Sequence, residues 1–188
     1  MQEPKHKRVR SYNEPGHAHE LTFSCFHGLQ LLSKDRTCQW FVEAVGRARR
    51  ELDLSLWAYV IMPEHVHLLF YPRQAKYEVS RVRTALKAPV ARKALRFLKR
   101  RAPRFLEKLR DAQPNGEVHY RFWQRGGGYD RNVIEPATLL QMIEYIHHNP
   151  VRCGLVEKAT DWVWSSARFY AGMRPVPMAM DPLPRLDG

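Results

Sequence analysis

The sequence predicts an α+β fold, with helices packed on an antiparallel sheet. Three observations lead there. Extended and helical patterns alternate in the order β-α-β-β-α-β-α. The second and third extended runs are joined only by a Pro63-Glu64 turn, which makes residues 54–71 an antiparallel hairpin. At 188 residues the chain suits one domain with a sizeable core, and no apolar run approaches the ~20 residues needed to span a bilayer.

Residues 1–16 are polar and basic and end in a Pro15-Gly16 turn signal, so they read as an arm. Residues 17–26 alternate as a strand, with Leu21, Phe23 and Cys25 on one face. A helix capped by Ser33 or Asp35 runs to about Leu52, its apolar Trp40, Phe41, Ala44, Val45 and Ala48 spaced by three and four. The hairpin follows. Residues 77–101 form a basic helical region that Pro89 is expected to break. Residues 102–118, with Pro103, Pro114 and Asn115-Gly116, read as less ordered. Residues 118–124 make a fourth strand, and the Gly126-Gly127-Gly128 run after it signals mobile backbone or close approach to a ligand. A last helix starts at Pro136 and ends at Pro150, burying Leu139, Ile143 and Ile146. Residues 17–171 are therefore one domain with a ferredoxin-like arrangement of sheet and helices. Residues 172–188 are a proline-rich tail expected to lack order.

The formal net charge is +12, which favours a polyanionic partner, nucleic acid first. The charge is clustered: Arg81, Arg83, Lys87, Arg92 and Lys93 open a run of cations that extends to Arg104. That run lacks the aromatic-anchored apolar face of a membrane-surface helix, so no membrane partner is expected. Cys25, Cys38 and Cys153 are odd in number with no Cys-x-x-Cys pair, which points to reduced, mostly buried thiols. The basic N-terminus is not followed by an apolar stretch, so a cytoplasmic location is expected.

His65 and His67 lie one residue apart on a strand and so point the same way, opposite Val66, Leu68 and Phe70. Two neutral imidazoles side by side are half of a divalent-metal site. On the last helix, at 100° per residue, Tyr145 falls beside the buried stripe, with Asn149 about one turn above it. An amide oxygen suits Mg²⁺ or Mn²⁺. Pro150 disfavours helical geometry at Asn149 and leaves its direction open. A phenol is a poor nucleophile until deprotonated, a step that a nearby cation and bound water would assist. Trp123 and Arg125 are placed to stack on or clamp an unpaired base, although Trp123 suits the core equally.

Four blocks then carry a resemblance: residues 62–69 (MPEHVHLL), residues 122–125 (FWQR), residues 145–152 (YIHHNPVR), and Trp164-Ser165-Ser166 with Tyr170. Together, in this order, they resemble the REP-associated tyrosine transposases. These are relatives of the IS200/IS605 transposases within the HUH single-strand endonucleases. The resemblance implies that His65 and His67 bind Mg²⁺ or Mn²⁺, that Asn149 completes the metal site, and that Tyr145 is the nucleophile. It implies single-stranded, palindromic REP-like hairpin DNA as partner, cleaved through a 5′-phosphotyrosine. It further implies DNA contact by the arm cations Lys5, Lys7, Arg8 and Arg10, a monomer rather than a dimer, and association with the nucleoid. The glycine run departs from the pattern, since relatives often carry bulkier residues there.

Two other functions fit parts of the sequence. A catalytically silent hairpin-DNA binding protein would need the charge but not the metal site. A metal-dependent hydrolase of small molecules would use His-x-His, but on a barrel of ~250 residues that this chain is too short to form.

Overall fold

The computed structural model describes residues 12–184. The arm cations Lys5, Lys7, Arg8 and Arg10 lie outside the described residues. The main sheet contains β1 (Ala18–Ser24), β2 (Leu54–Ile61), β3 (His65–Pro72) and β6 (Tyr129–Val133), in the order β2-β3-β1-β6. All neighbours are antiparallel. Strands β1 and β2 are linked by α1 (Asp35–Glu51), with β3 inserted between them. The second half repeats the device: α2 (Val79–Arg101) connects β3 to β6 across β1. This is the antiparallel ferredoxin-like topology that the pattern predicts.

Between α2 and β6 lie α3 (Pro103–Leu106), then β4 (Arg110–Ala112) and β5 (Val118–Tyr120), which pair only with each other. Residues 102–118 are thus more ordered than the turn residues suggest. The expected strand at 118–124 divides: its first half joins this ribbon, and its second half lies against the end of β1, where Gln124 N–H donates to the Ser24 carbonyl at 2.9 Å. The fourth strand of the main sheet is instead β6. Its sequence, Tyr-Asp-Arg-Asn-Val, is largely polar because β6 is an edge strand, so it shows no apolar alternation.

Both faces of the sheet are covered. On one, α1 and α2 bury Phe41, Val45, Val82, Leu86 and Val90 against Leu21, Phe23, Val66, Leu68 and Phe70. On the other, α4 (Pro136–Arg152) buries Leu139, Met142, Ile143 and Ile146 against Trp57, Val60 and Leu69. Helix α1 begins without a side-chain cap, its cap position held by Lys34 rather than Ser33. Asp35 is its first residue, where a carboxylate suits the positive end of the helix dipole.

Neither proline ends its helix. Pro89 lies inside a continuous α2, whose apolar stripe on both sides of it is pinned to the sheet. Pro150 lies inside α4, and Gly154 at φ +68 follows the helix end. The tail also packs. Met178 and Met180 are buried. Asp181 accepts from Leu56 N–H at 2.7 Å and from Arg49 at 2.6 Å. Closely spaced prolines hid this strap, whose anchors include backbone groups of β2 and the Arg49 and Trp57 side chains. Cys25 and Cys38 are buried and Cys153 is exposed.

Candidate active site

The histidine pair opens β3, directly after the Pro63-Glu64 turn. Strand register brings partners to it. Thr22 of β1 stands opposite His67, and Tyr129 of β6 stands opposite Thr22; one step along, Glu20 lies between Leu69 and Arg131. Directly opposed residues share a face, so a polar row crosses the sheet on the side covered by α4. Glu20, Thr22, His67, Tyr129 and Arg131, with Tyr145 and Met142 from the helix, line a cleft of about 380 Å³.

The two imidazoles meet through their Nε2 atoms, 3.1 Å apart. Behind them, His65 Nδ1–H donates to Glu64 at 2.8 Å. His67 Nδ1 lies 2.7 Å from the Thr22 hydroxyl and 3.4 Å from a Glu20 carboxylate oxygen. A carboxylate only accepts, so His65 keeps its proton on Nδ1 and its lone pair on Nε2. Burial and the neighbouring His67 push the His65 imidazole below its ordinary pKa, which keeps that lone pair available.

Carboxylates behind a ring nitrogen are the usual support of a metal-bound histidine. Two ligands at ~2.1 Å on adjacent corners of an octahedron lie about 3 Å apart, and the observed Nε2 spacing fits that edge. The donor set therefore suits one divalent cation. Among the described residues no group of three or more His, Cys, Asp or Glu side chains forms a metal site, so further ligands would come from an amide, water or substrate.

Tyr145 reaches the pair from α4. Its ring stands edge-on to His67, with centroids 5.7 Å apart, and is 41% exposed. The Arg152 guanidinium, two turns on, lies over the ring at 5.0 Å. Asn149 is buried, and its amide N–H donates to the Tyr145 carbonyl at 2.9 Å. His147 is buried against Tyr170, with Nε2 2.8 Å from the Ser166 hydroxyl. Burial lowers its pKa to about 4, so it stays neutral.

The structure thus brings His65, His67 and Tyr145 together. It scatters the expected nucleic-acid contacts. Trp123 is core, packed on Phe23 and Phe41 and donating from Nε1 to the Lys87 carbonyl. Arg125 is held by Asp111 at 2.9 Å, and Lys93 by Glu43 of α1. Helical geometry puts Arg81 and Arg92 opposite the buried stripe, and Arg83 and Lys87 on its flank.

Sequence reasoning missed Glu20, Thr22 and Arg131, and read Glu64 only as a turn residue. The period-2 alternation of Glu20 and Thr22 against Leu21 and Phe23 was a usable signal for a polar row. Nothing local marked β6 as its neighbour.

No protein-family model matches the chain. Its sequence is 28% identical over 144 residues to a Haemophilus influenzae protein described as a "Putative REP-associated tyrosine transposase", covering 72% of this chain and 76% of that one. Its fold matches the solved structure of a REP-associated tyrosine transposase bound to a REP hairpin. The TM-score is 0.64 at 20% identity, over 94% of this chain and 93% of the other. The resemblance read from the four sequence blocks is borne out by these two matches.

Proposed function

We propose that this chain, similar in sequence and fold to the REP-associated tyrosine transposases, is a single-strand DNA endonuclease and strand transferase that acts on hairpin DNA. The observation that carries this reading is that Tyr145 stands edge-on to His67 in one cleft, while His67 meets His65 through their Nε2 atoms. The hairpin partner is carried over from the solved relative and is supported by the net charge of +12.

His65 and His67, with Asn149, would hold Mg²⁺ or Mn²⁺, which polarises a phosphodiester and offsets charge in the transition state. Glu64, Glu20 and Thr22 fix the two rings. Tyr145 gives its proton to water, which can return one to the leaving oxygen, and the phenolate oxygen attacks phosphorus. The P–O3′ bond breaks, the 3′ oxygen gains a proton, and the 5′ phosphate stays on the tyrosine. Reversal on a second 3′ end rejoins DNA without an external energy source.

Incubation with labelled hairpin DNA and Mn²⁺ tests this. The expected result is a denaturation-resistant adduct, absent in Tyr145→Phe while hairpin affinity persists. An adduct formed by Tyr145→Phe would overturn the assignment of the nucleophile. Tight hairpin binding with no adduct under any divalent ion would instead favour a silent hairpin-binding protein.

A further inference from the structure

The glycine run, and the groove it walls beside α2, take no part in the chemistry above. We propose that this groove seats the phosphate backbone of a single-stranded DNA segment leading out of the Tyr145 cleft, an inference that rests on the DNA-processing reading of that cleft.

The groove measures about 440 Å³. Ser80, Arg83, Thr84 and Lys87, with Ala88 and Ala91, line it from α2, and Trp123, Gly126 and Gly127 complete it. Two cations and bare backbone are groups that hold phosphate oxygens, whereas the Ser80 and Thr84 hydroxyls already donate to the Glu78 carboxylate and the Ser80 carbonyl. Among the described residues that line the groove there is no carboxylate; Glu78, which accepts from Ser80, is not one of them. Lys87 Nζ reaches the carbonyls of Gln124 and Gly126 at 3.3 Å each, which leaves further N–H capacity. Burial and the Arg83 charge lower its pKa to about 8, and a bound phosphate would restore the proton's hold.

Gly127 leaves room for the Arg83 guanidinium. A Cβ on Gly127 would stand 2.9 Å from Arg83 Nη1 and push the guanidinium aside. The loop also joins the two sites. Gly127 walls the groove, while Tyr129 lines the cleft with His67 and Tyr145. At most about 7 Å of backbone separates those two walls. The groove lies on the α2 side of the sheet and the cleft on the α4 side, so a strand leaving the cleft at Tyr129 reaches Arg83 and Lys87 by passing around the start of β6.

The test is fluorescence anisotropy in metal-free buffer with two DNAs: a blunt hairpin, and the same hairpin with a single-stranded extension. Lys87→Gln should weaken the extended DNA about five-fold more than the blunt one near 0.1 M salt. It should also reduce the slope of log K against log salt by about 0.7, the value for one phosphate contact on a single strand. Thr84→Glu, at an exposed position, should weaken the extended DNA by a larger factor. Should Lys87→Gln fail to fold, Thr84→Glu carries the comparison. Variants that bind the extended DNA as the wild type does, or lose both DNAs equally, would overturn the groove alone. Wild-type protein that binds neither DNA would overturn the DNA reading and the groove with it.

Discussion

Gly128→Ala should loosen the site from outside it. Gly128 sits at φ +73, in the left-handed region that costs an L-residue roughly 1–2 kcal/mol. Its glycine neighbour Gly126, at φ +88, faces the same strain. The two differ in surroundings. A Cβ on Gly126 meets nothing within 4 Å, whereas one on Gly128 would be 3.0 Å from Phe23 Cβ and closer still to the Thr22 carbonyl oxygen, nearer than real Cβ atoms approach. The obstacle is backbone of a central strand, so β1 must shift. Overpacking of this kind costs about 1–3 kcal/mol beyond the shared strain. With a urea m-value of about 2 kcal/mol/M, the midpoint of Gly128→Ala should lie about 0.5–1.5 M below that of Gly126→Ala. Because Thr22 also holds His67 Nδ1, Gly128→Ala should lower Mn²⁺-dependent adduct formation while Gly126→Ala does not. Equal urea midpoints for the two variants would refute the steric account.

Thr22→Val removes the hydroxyl behind His67 and should weaken Mn²⁺ binding about 10–100-fold by isothermal titration; unchanged affinity would mean that the hydroxyl does not orient the ring. Asp181→Ala strips the buried Leu56 N–H of its acceptor and should cost about 1–3 kcal/mol in urea unfolding, with faster proteolysis of the tail; wild-type behaviour would mean that the strap contributes nothing. Lys87 has a folded pKa of about 8 against an ordinary 10.5, lowered by burial and Arg83, with Cys25 buried nearby. Its charged form is the one folding disfavours, so stability should rise as pH passes from about 8 toward 10.5. Affinity for extended DNA should fall over the same range, and Lys87→Arg should remove that fall; a flat profile in the wild type would count against Lys87 as a phosphate contact.

Much of this molecule is legible locally. The His65-x-His67 spacing sets both rings on one face by strand geometry alone, and the apolar spacing of Leu139, Ile143 and Ile146 sets Tyr145 at the helix edge. The hairpin needs only its turn. Reading Pro89 and Pro150 as helix breaks failed because packing on the sheet outweighed a missing hydrogen bond in each helix. Trp123 was ambiguous because an aromatic beside arginine reads alike in a core and on a stacking surface.

What the sequence determined by itself is therefore the set of reactive groups, the face each occupies on its own element, and a charge suited to nucleic acid. Tertiary structure alone decided which elements meet. It set polar β6 beside β1, brought Thr22 and Glu20 behind His67, and wedged Gly128 against β1 so that one loop walls both cleft and groove. The physical reason is that side-chain periodicity is a property of a single element, whereas strand pairing joins residues more than a hundred positions apart through backbone hydrogen bonds that every residue type can make.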